Sequence, residues 1–157
     1  MAVSEKTIQE AFQTILQALS IFEDNDVVIN DWSVLDISTD NAPYVIIENS
    51  DDWSSRRDNV TATDDWRIPF TLAVKLGAET WKTALDNFRD ARQAILDTMN
   101  ADGTARSAGG QAGVDIQVIR PDGPKGYIYS PDVDPEQQPY ATPLFVSQRM
   151  ILEVKEF

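Results

Sequence analysis

The stretch "DWRIPFTLAVKLG", residues 65–77, decides the fold. Large apolar side chains occupy every second position, and the residues between them are small, polar or charged. The apolar set is Trp66, Ile68, Phe70, Leu72, Val74 and Leu76. Because successive side chains of a β-strand point to opposite faces, this period of two predicts a long strand with one buried face. Pro69 has no N–H for the sheet ladder, so it predicts an edge, a strand end or a bulge at that point.

Four other stretches also predict strands. "PYVIIEN" (residues 43–49) carries four consecutive apolar residues, a run that favours burial on both faces. "DVVINDW" (residues 26–32) is short and rich in β-branched residues. Further along the chain, residues 114–120 and 144–154 again alternate apolar with polar side chains. The sequence therefore predicts five strands.

Two segments predict amphipathic helices. Apolar residues recur at three- and four-residue spacing from a Ser4 cap to a stop near Asn25, and again over residues 79–100, with Thr80 as N-cap. The faces expected to be buried are Ile8, Ala11, Phe12, Ile15, Leu16, Leu19 and Phe22 in the first helix, and Trp81, Ala84, Leu85, Phe88, Ala91, Ile95 and Met99 in the second. The helices do not alternate regularly with the strands, which argues against a doubly wound parallel sheet.

The predicted fold class is α+β. Two amphipathic helices pack on a mixed, mostly antiparallel sheet, in the order α-β-β-β-α-β-β, within a single domain of residues 1–157. Residues 101–113 and 121–143 are predicted to be flexible loops. The first is rich in glycine, and the second has six prolines in its 23 residues, which excludes regular structure on this reasoning.

A long polar segment, "ENSDDWSSRRDNVTATDDW" (residues 48–66), separates the second and third predicted strands. We call residues 49–65 the arm. A tryptophan is costly to expose in a polar loop, and tryptophan and arginine are preferred anchors of protein interfaces. The candidate interface residues are Asp52, Trp53, Arg56, Arg57, Asp58 and Asp64. The alternative is that Trp53 folds back onto its own domain, whereas Trp66 is in phase with the buried face of its strand and is predicted to be core.

Composition narrows the function classes. The chain has 157 residues, no cysteine, no histidine and a net charge of −13, which repels nucleic-acid phosphates. The missing side chains exclude disulfides and cysteine zinc sites, and they remove the commonest general base. The sequence shows neither a signal peptide nor a run of ~20 apolar residues, so we expect a cytosol-like compartment and no membrane.

Three motifs could carry chemistry, and each has a simpler interpretation. Adjacent or near-adjacent acids such as Asp51 and Asp52 could serve a hydrolase, but acids in polar loops are normally solvated. "SPDVDPE" (residues 130–136) resembles half of a calcium loop, without its turn glycine and distal acid. "GTARSAGGQAG" (residues 103–113) lacks the lysine and hydroxyl ending of a phosphate loop. We therefore predict no catalytic residue, metal or cofactor.

The order of these phrases resembles a known family. An amphipathic N-terminal helix is followed by "DW", "APYVIIENSDD", a polar arm, "DWRIPFTLAVKLG" and a helix ending "ALDNFRDARQAILDTMN". This arrangement is similar to that of the tail terminator, or tail completion, proteins of long-tailed bacteriophages. The similarity covers roughly residues 5–120 and resides in order, length and local phrases. The proline-rich segment 121–143 departs from the family's compact pattern.

The resemblance implies a structural, non-enzymatic protein of the virion tail and neck, present in the host cytoplasm during assembly. Family members form a hexameric ring that ends tail-tube polymerisation and meets the neck. The implied partners are further copies of the chain, the tail tube protein and a neck or head-completion protein, with a tape measure protein as a further candidate and DNA passing through the bore without specific binding. The arm matches the loop that such rings use at ring or tube contacts. Alternatives that stay open are a head-closure or tube protein and a small calcium-binding or hydrolytic module.

Overall fold

The structure is a computed structural model that describes residues 4–35, 43–50, 52–57, 62–76, 81–100, 114–129, 133–141 and 143–156; for residues 24, 52–57, 62–64, 100, 114–118, 139, 155 and 156 it describes the backbone. The helices and strands, in chain order, are α1 Glu5–Gln17, β1 Val27–Ile29, β2 Pro43–Ile47, β3 Asp52–Arg57, β4 Ala62–Lys75, α2 Trp81–Asn100, β5 Val114–Pro121, β6 Gly126–Ile128 and β7 Phe145–Glu156. Short 3₁₀ segments cover Asp24–Asp26, Trp32–Leu35 and Pro135–Tyr140.

The first helix begins where the sequence predicts and ends earlier. Ser4 caps it, since the Ser4 hydroxyl accepts a hydrogen bond from the Thr7 N–H at 3.2 Å. The helix ends at Gln17, not near Asn25, and turns follow it to residue 22. Phe22 is nevertheless buried. The apolar periodicity thus predicts burial correctly beyond the point where helical hydrogen bonding stops.

The sheet is mixed and mostly antiparallel, as predicted. Its strand order is β1-β2-β4-β7-β5, with β3 also paired to β4 and β6 also paired to β7. Only the β1–β2 pairing is parallel among the described strands. The central pair is β4 with β7, which runs in register from Asp65 opposite Lys155 to Lys75 opposite Phe145. The long alternating stretch of the sequence is therefore the centre of the sheet.

Both helices pack on one face of this sheet and form the main core with it. Phe12 of α1 meets Phe70 of β4 edge to face, with ring centroids 5.0 Å apart. From α2, Ala84, Phe88, Ala91, Ile95 and Met99 join the same cluster. The alternate residues of β4 from Ile68 to Val74 lie in this core with Leu76, which follows the strand, and Trp66 packs partly buried against it. The predicted α+β fold class is therefore confirmed.

A smaller core lies on the opposite face, which we call the open face. There Tyr44 and Ile46 of β2 pack with Val34 from the 3₁₀ segment Trp32–Leu35. All five residues of β2 are consequently buried. This confirms the prediction, made from its unbroken apolar run, that the strand is buried on both faces.

The order of strands differs from the prediction in two places. A strand, β3, forms inside the arm, and a short strand, β6, forms inside the proline-rich segment that was predicted to lack regular structure. Each pairs with a long strand next to another partner of that strand. Strand β3 pairs with β4 on the same side as β2, and β6 pairs with β7 on the same side as β5. The long strands β4 and β7 supply pairing partners that local sequence does not reveal. Residues 101–113 lie outside the described residues.

Pro69 lies inside the central strand, so the prediction of an edge, strand end or bulge was wrong for β4 itself. Its carbonyl oxygen accepts a hydrogen bond from the Glu48 N–H at 2.8 Å. Because N–H and C=O of one strand residue point to the same side, the missing donor faces the junction between β2 and β3 and not β7. A proline is tolerated there because the ladder is interrupted on that side.

Candidate interaction surfaces

The arm contains one strand of a β-ribbon. Its strand β3 pairs antiparallel with the first part of β4, which places Trp53 opposite Trp66 and Arg57 opposite Ala62. The β7 pairing of β4 begins only at Asp65. Residues 62–64 of β4, with their β3 partners, therefore extend past the β7 pairing as a two-stranded ribbon.

The structure brings most of the predicted interface residues onto this ribbon. Those on β3 are Asp52, Trp53, Arg56 and Arg57; Asp64 lies on β4 opposite Ser55. Asp58 lies outside the described residues. The prediction that Trp53 sits in a loop was wrong, because the backbone there is a strand in register with β4. The error has a physical reason: the polar composition of the arm hides its strand, whose pairing depends on β4.

The root of the arm, which we define as Asn49 and Ser50 together with the preceding Glu48, is tied to the domain by side chains. Gln9 of α1 is only 4% exposed. Its Nε2 donates to the Glu48 carbonyl oxygen at 2.8 Å and to the Asn49 Oδ1 at 3.2 Å. The Glu5 carboxylate accepts from the Ser50 N–H. These contacts fix the direction in which the ribbon leaves the core.

Asn30, just after β1, holds the same root from the other side. Its Nδ2 donates to the Asn49 Oδ1 at 2.8 Å, and its Oδ1 accepts from the Asn49 N–H at 3.1 Å. Its own N–H donates to the Ile47 carbonyl oxygen at 2.8 Å. Asn30 has a φ of 55°, a left-handed conformation that asparagine tolerates better than most residues. The turn after β1 is thus shaped to present its amide to the arm.

Charged side chains cross the open face in two groups. Glu153 of β7 lies between Arg67 of β4 and Arg120 of β5, with N–O distances of 3.7 and 2.9 Å. Arg149 of β7 bridges Glu48 and Asp122. All are partly exposed, so each pair is worth roughly 0.2–1 kcal/mol. They link β4, β5 and β7 to one another and to the residues that follow β2 and β5, and they help to fix strand register.

A further surface escaped the sequence reasoning. The rings of Trp81, at the start of α2, and Tyr127, in β6, have centroids 6.0 Å apart. Leu144 is tied to the same strand, because its N–H donates to the Ile128 carbonyl oxygen at 2.7 Å. Trp81, Tyr127 and Leu144 are 47%, 41% and 39% exposed. Trp81 was predicted to be on the buried face, but it precedes by three residues the first buried position of α2, Ala84.

The acidic segment considered for calcium lies partly within the described part of the chain. No group of three or more acids in it could hold a metal ion. Asp134 has a structural role, since its carboxylate accepts from the Glu136 N–H at 3.0 Å and caps the 3₁₀ segment Pro135–Tyr140. An open depression of about 280 Å³ there is lined by Gln137, Tyr140 and Ala141. Asp132 and residues 103–113 lie outside the described residues.

No protein-family model matches the sequence, and no curated protein does so significantly. Within the described residues, neither helix combines the length and apolar character that crossing a membrane requires. The chemistry of the surfaces themselves therefore carries the functional argument.

Proposed function

We propose that this chain is the subunit of a phage tail terminator. In this proposal, copies form a ring, hexameric as in the resembled family, that caps the tail tube, ends its polymerisation and joins it to the neck, with DNA passing through the bore. The partners are the tube protein on one side and a neck or head-completion protein on the other. The mechanism is steric: a tube grows only while its terminal ring is exposed to new subunits, and the cap occupies that surface.

The arm is the observation that carries the proposal. Its strand β3 forms a β-ribbon with the start of β4 that extends past the β7 pairing, and its root is anchored by Gln9 and Asn30. Binding through a preordered segment loses less conformational entropy than binding through a flexible loop. The backbone of such a ribbon also offers hydrogen-bonding groups to a neighbouring strand. Both properties suit contacts to a ring neighbour or to the tube.

Charge supports the same proposal. A protein with a net charge of −13 repels phosphates, and DNA must slide through the bore without being held. A basic lining would release counterions on contact with DNA and would retain it. The acidic excess therefore fits passage and not nucleic-acid binding.

Electron microscopy of the protein mixed with tail tubes from the same phage tests the proposal. We expect added density at one tube end and an arrest of tube elongation. The proposal is refuted if the protein stays monomeric at high concentration and is never found at tube ends. Growth of the protein by itself into long tubes would instead indicate a tube protein.

A further inference from the structure

Trp81, Tyr127 and Leu144 are flanked by the exposed residues Lys82 and Lys125, the latter directly before β6. This set has the composition of a protein interface, and we call the five residues the aromatic corner. Its aromatic pair is in ring contact and yet almost half exposed. Tryptophan and tyrosine in such positions are the typical anchors of binding surfaces. Lys82 flanks Trp81 with its side chain 86% exposed, in contact with Asp86 at 3.0 Å.

The opposite edge of the molecule is acidic. Residues 4–35, which contain α1, β1 and the first two 3₁₀ segments, carry six acidic side chains and one lysine, a net charge of −5. Glu23 and Asp31 are exposed there, beside β1. Trp32, 44% exposed, gives this surface an aromatic side chain of its own. We call Glu23, Asp31 and Trp32 the acidic edge.

Electrostatics favours contact between these two different surfaces. The stretches that frame the aromatic corner, residues 81–92, 119–129 and 143–149, each carry one net positive charge. With Asp134 and Glu136 of the nearby 3₁₀ segment included, their sum is +1. Two copies of the stretch 4–35, at −5 each, would repel each other, whereas the acidic edge within it and the aromatic corner have charges of opposite sign.

The positions of the two surfaces determine the type of assembly. The acidic edge adjoins β1, the last strand on one side of the sheet, and the aromatic corner includes β6, which pairs with β7 on the other side. One copy therefore presents both surfaces on opposite sides. Contacts between unlike surfaces are head to tail, and such contacts give a closed ring when their rotation closes.

We infer that copies of this chain associate head to tail, with the aromatic corner of one copy docked on the acidic edge of the next. This inference rests on the ring in the proposed function and assigns the surfaces that form it. Trp81 and Tyr127 lose their exposure against the neighbour, and Lys82 and Lys125 face Glu23 and Asp31.

Engineered cysteines test this arrangement, because the natural chain contains none. Two single variants, Lys82→Cys and Glu23→Cys, are mixed in equal amounts at high concentration and oxidised, and the dimers are identified by mass spectrometry. Both sites tolerate the change: Lys82 is exposed, and Glu23 makes no side-chain capping bond. We expect the mixed dimer to form at least tenfold faster than either homodimer. Adding Trp81→Ala to the Lys82→Cys variant should slow formation of the mixed dimer about tenfold without changing thermal unfolding.

Arg89→Cys is the matched control for Lys82→Cys. Arg89 lies farther along α2 with its side chain 67% exposed, outside the aromatic corner. The inference is wrong if Lys82→Cys crosslinks to Glu23→Cys no faster than Arg89→Cys does. It is also wrong if Lys82→Cys homodimers dominate. The outcome is separable from the proposed function: tube capping without this crosslink overturns the inference alone, and the crosslink without tube capping overturns the tail terminator role alone.

Discussion

Replacement of Gln9 by methionine is expected to loosen the arm without disturbing the shape of the core. The two side chains have similar length, and Gln9 is only 4% exposed. Gln9→Met removes the donor to the Glu48 carbonyl oxygen and to the Asn49 Oδ1. Both acceptors stay in place, so the variant loses two hydrogen bonds and gains none.

The magnitude follows from those two bonds. A neutral hydrogen bond contributes about 0.5–1.5 kcal/mol net, so the free energy of unfolding should fall by about 1–3 kcal/mol. For a domain of this size each kcal/mol lowers Tm by about 2–4 °C. Thermal unfolding followed by circular dichroism measures this change, and amide hydrogen exchange of residues 52–57 reports the arm separately. We expect those amides to exchange faster in the variant than in the natural chain.

Gln13→Met is the matched control on the same helix. Gln13 Nε2 donates to the Val27 carbonyl oxygen at 2.8 Å, away from the arm root. This control should lower stability by about 0.5–1.5 kcal/mol and leave arm exchange unchanged. Natural stability and natural exchange in Gln9→Met would refute the anchoring role of Gln9. Equal acceleration of arm exchange in both variants would show that exchange follows global stability alone.

Three further outcomes are expected. Phe12→Ala removes a fully buried ring that contacts Phe70, and urea unfolding should show a loss of about 3–5 kcal/mol. Arg149→Ala breaks two partly exposed ion pairs, so its cost of about 1 kcal/mol at low salt should shrink at high salt; an unchanged cost would point to packing instead. Trp53→Ala should spare folding and weaken assembly, as judged by Tm and tube capping, whereas Trp66→Ala should lower Tm; equal unfolding of both variants would make the arm a part of the core.

Local patterns predicted the parts of the fold that depend on burial. The period of two in β4, the apolar run of β2 and the apolar stripe of α1 each indicate which side chains of a segment face the core. In all three segments these side chains are buried or pack partly buried against the core. The fold class followed, because two amphipathic helices must cover one face of a sheet. Residue periodicity is a property of one segment, so one sequence suffices to read it.

The parts that depend on pairing between distant segments were not predictable. Arg120 and Glu153 meet at 2.9 Å only because β5 and β7 pair in one particular register. Strand β3 forms because β4 extends beyond its pairing with β2 and offers a free edge on that side. Trp81 fits the helical stripe by spacing and is exposed because α2 meets the sheet only from Ala84 onward. No local signal in the chain reports such geometry.

Pro69 and Gln9 together explain why the arm begins where it does. In an antiparallel hydrogen-bonded pair, two residues exchange both N–H to O=C bonds. The Glu48 N–H donates one of these two bonds to the Pro69 carbonyl oxygen, but Pro69 has no N–H that could donate the other. Gln9 supplies the missing donor to the Glu48 carbonyl oxygen. Four residues also separate Ile47 from Asp52 along the chain, whereas only two separate their partners Phe70 and Arg67 in β4, so excess length interrupts the ladder there as well.

Pro69 and Gln9 should therefore be energetically coupled, and a double-mutant cycle can measure that coupling. Pro69→Ala restores an N–H that faces the Glu48 carbonyl oxygen, so this oxygen gains a second donor. The loss of stability in Gln9→Met should then be smaller by about 0.5–1.5 kcal/mol in the Pro69→Ala background than in the natural one. Additive losses would mean that the new N–H does not reach Glu48. In that case the excess length of residues 48–51, and not the proline, sets the root of the arm.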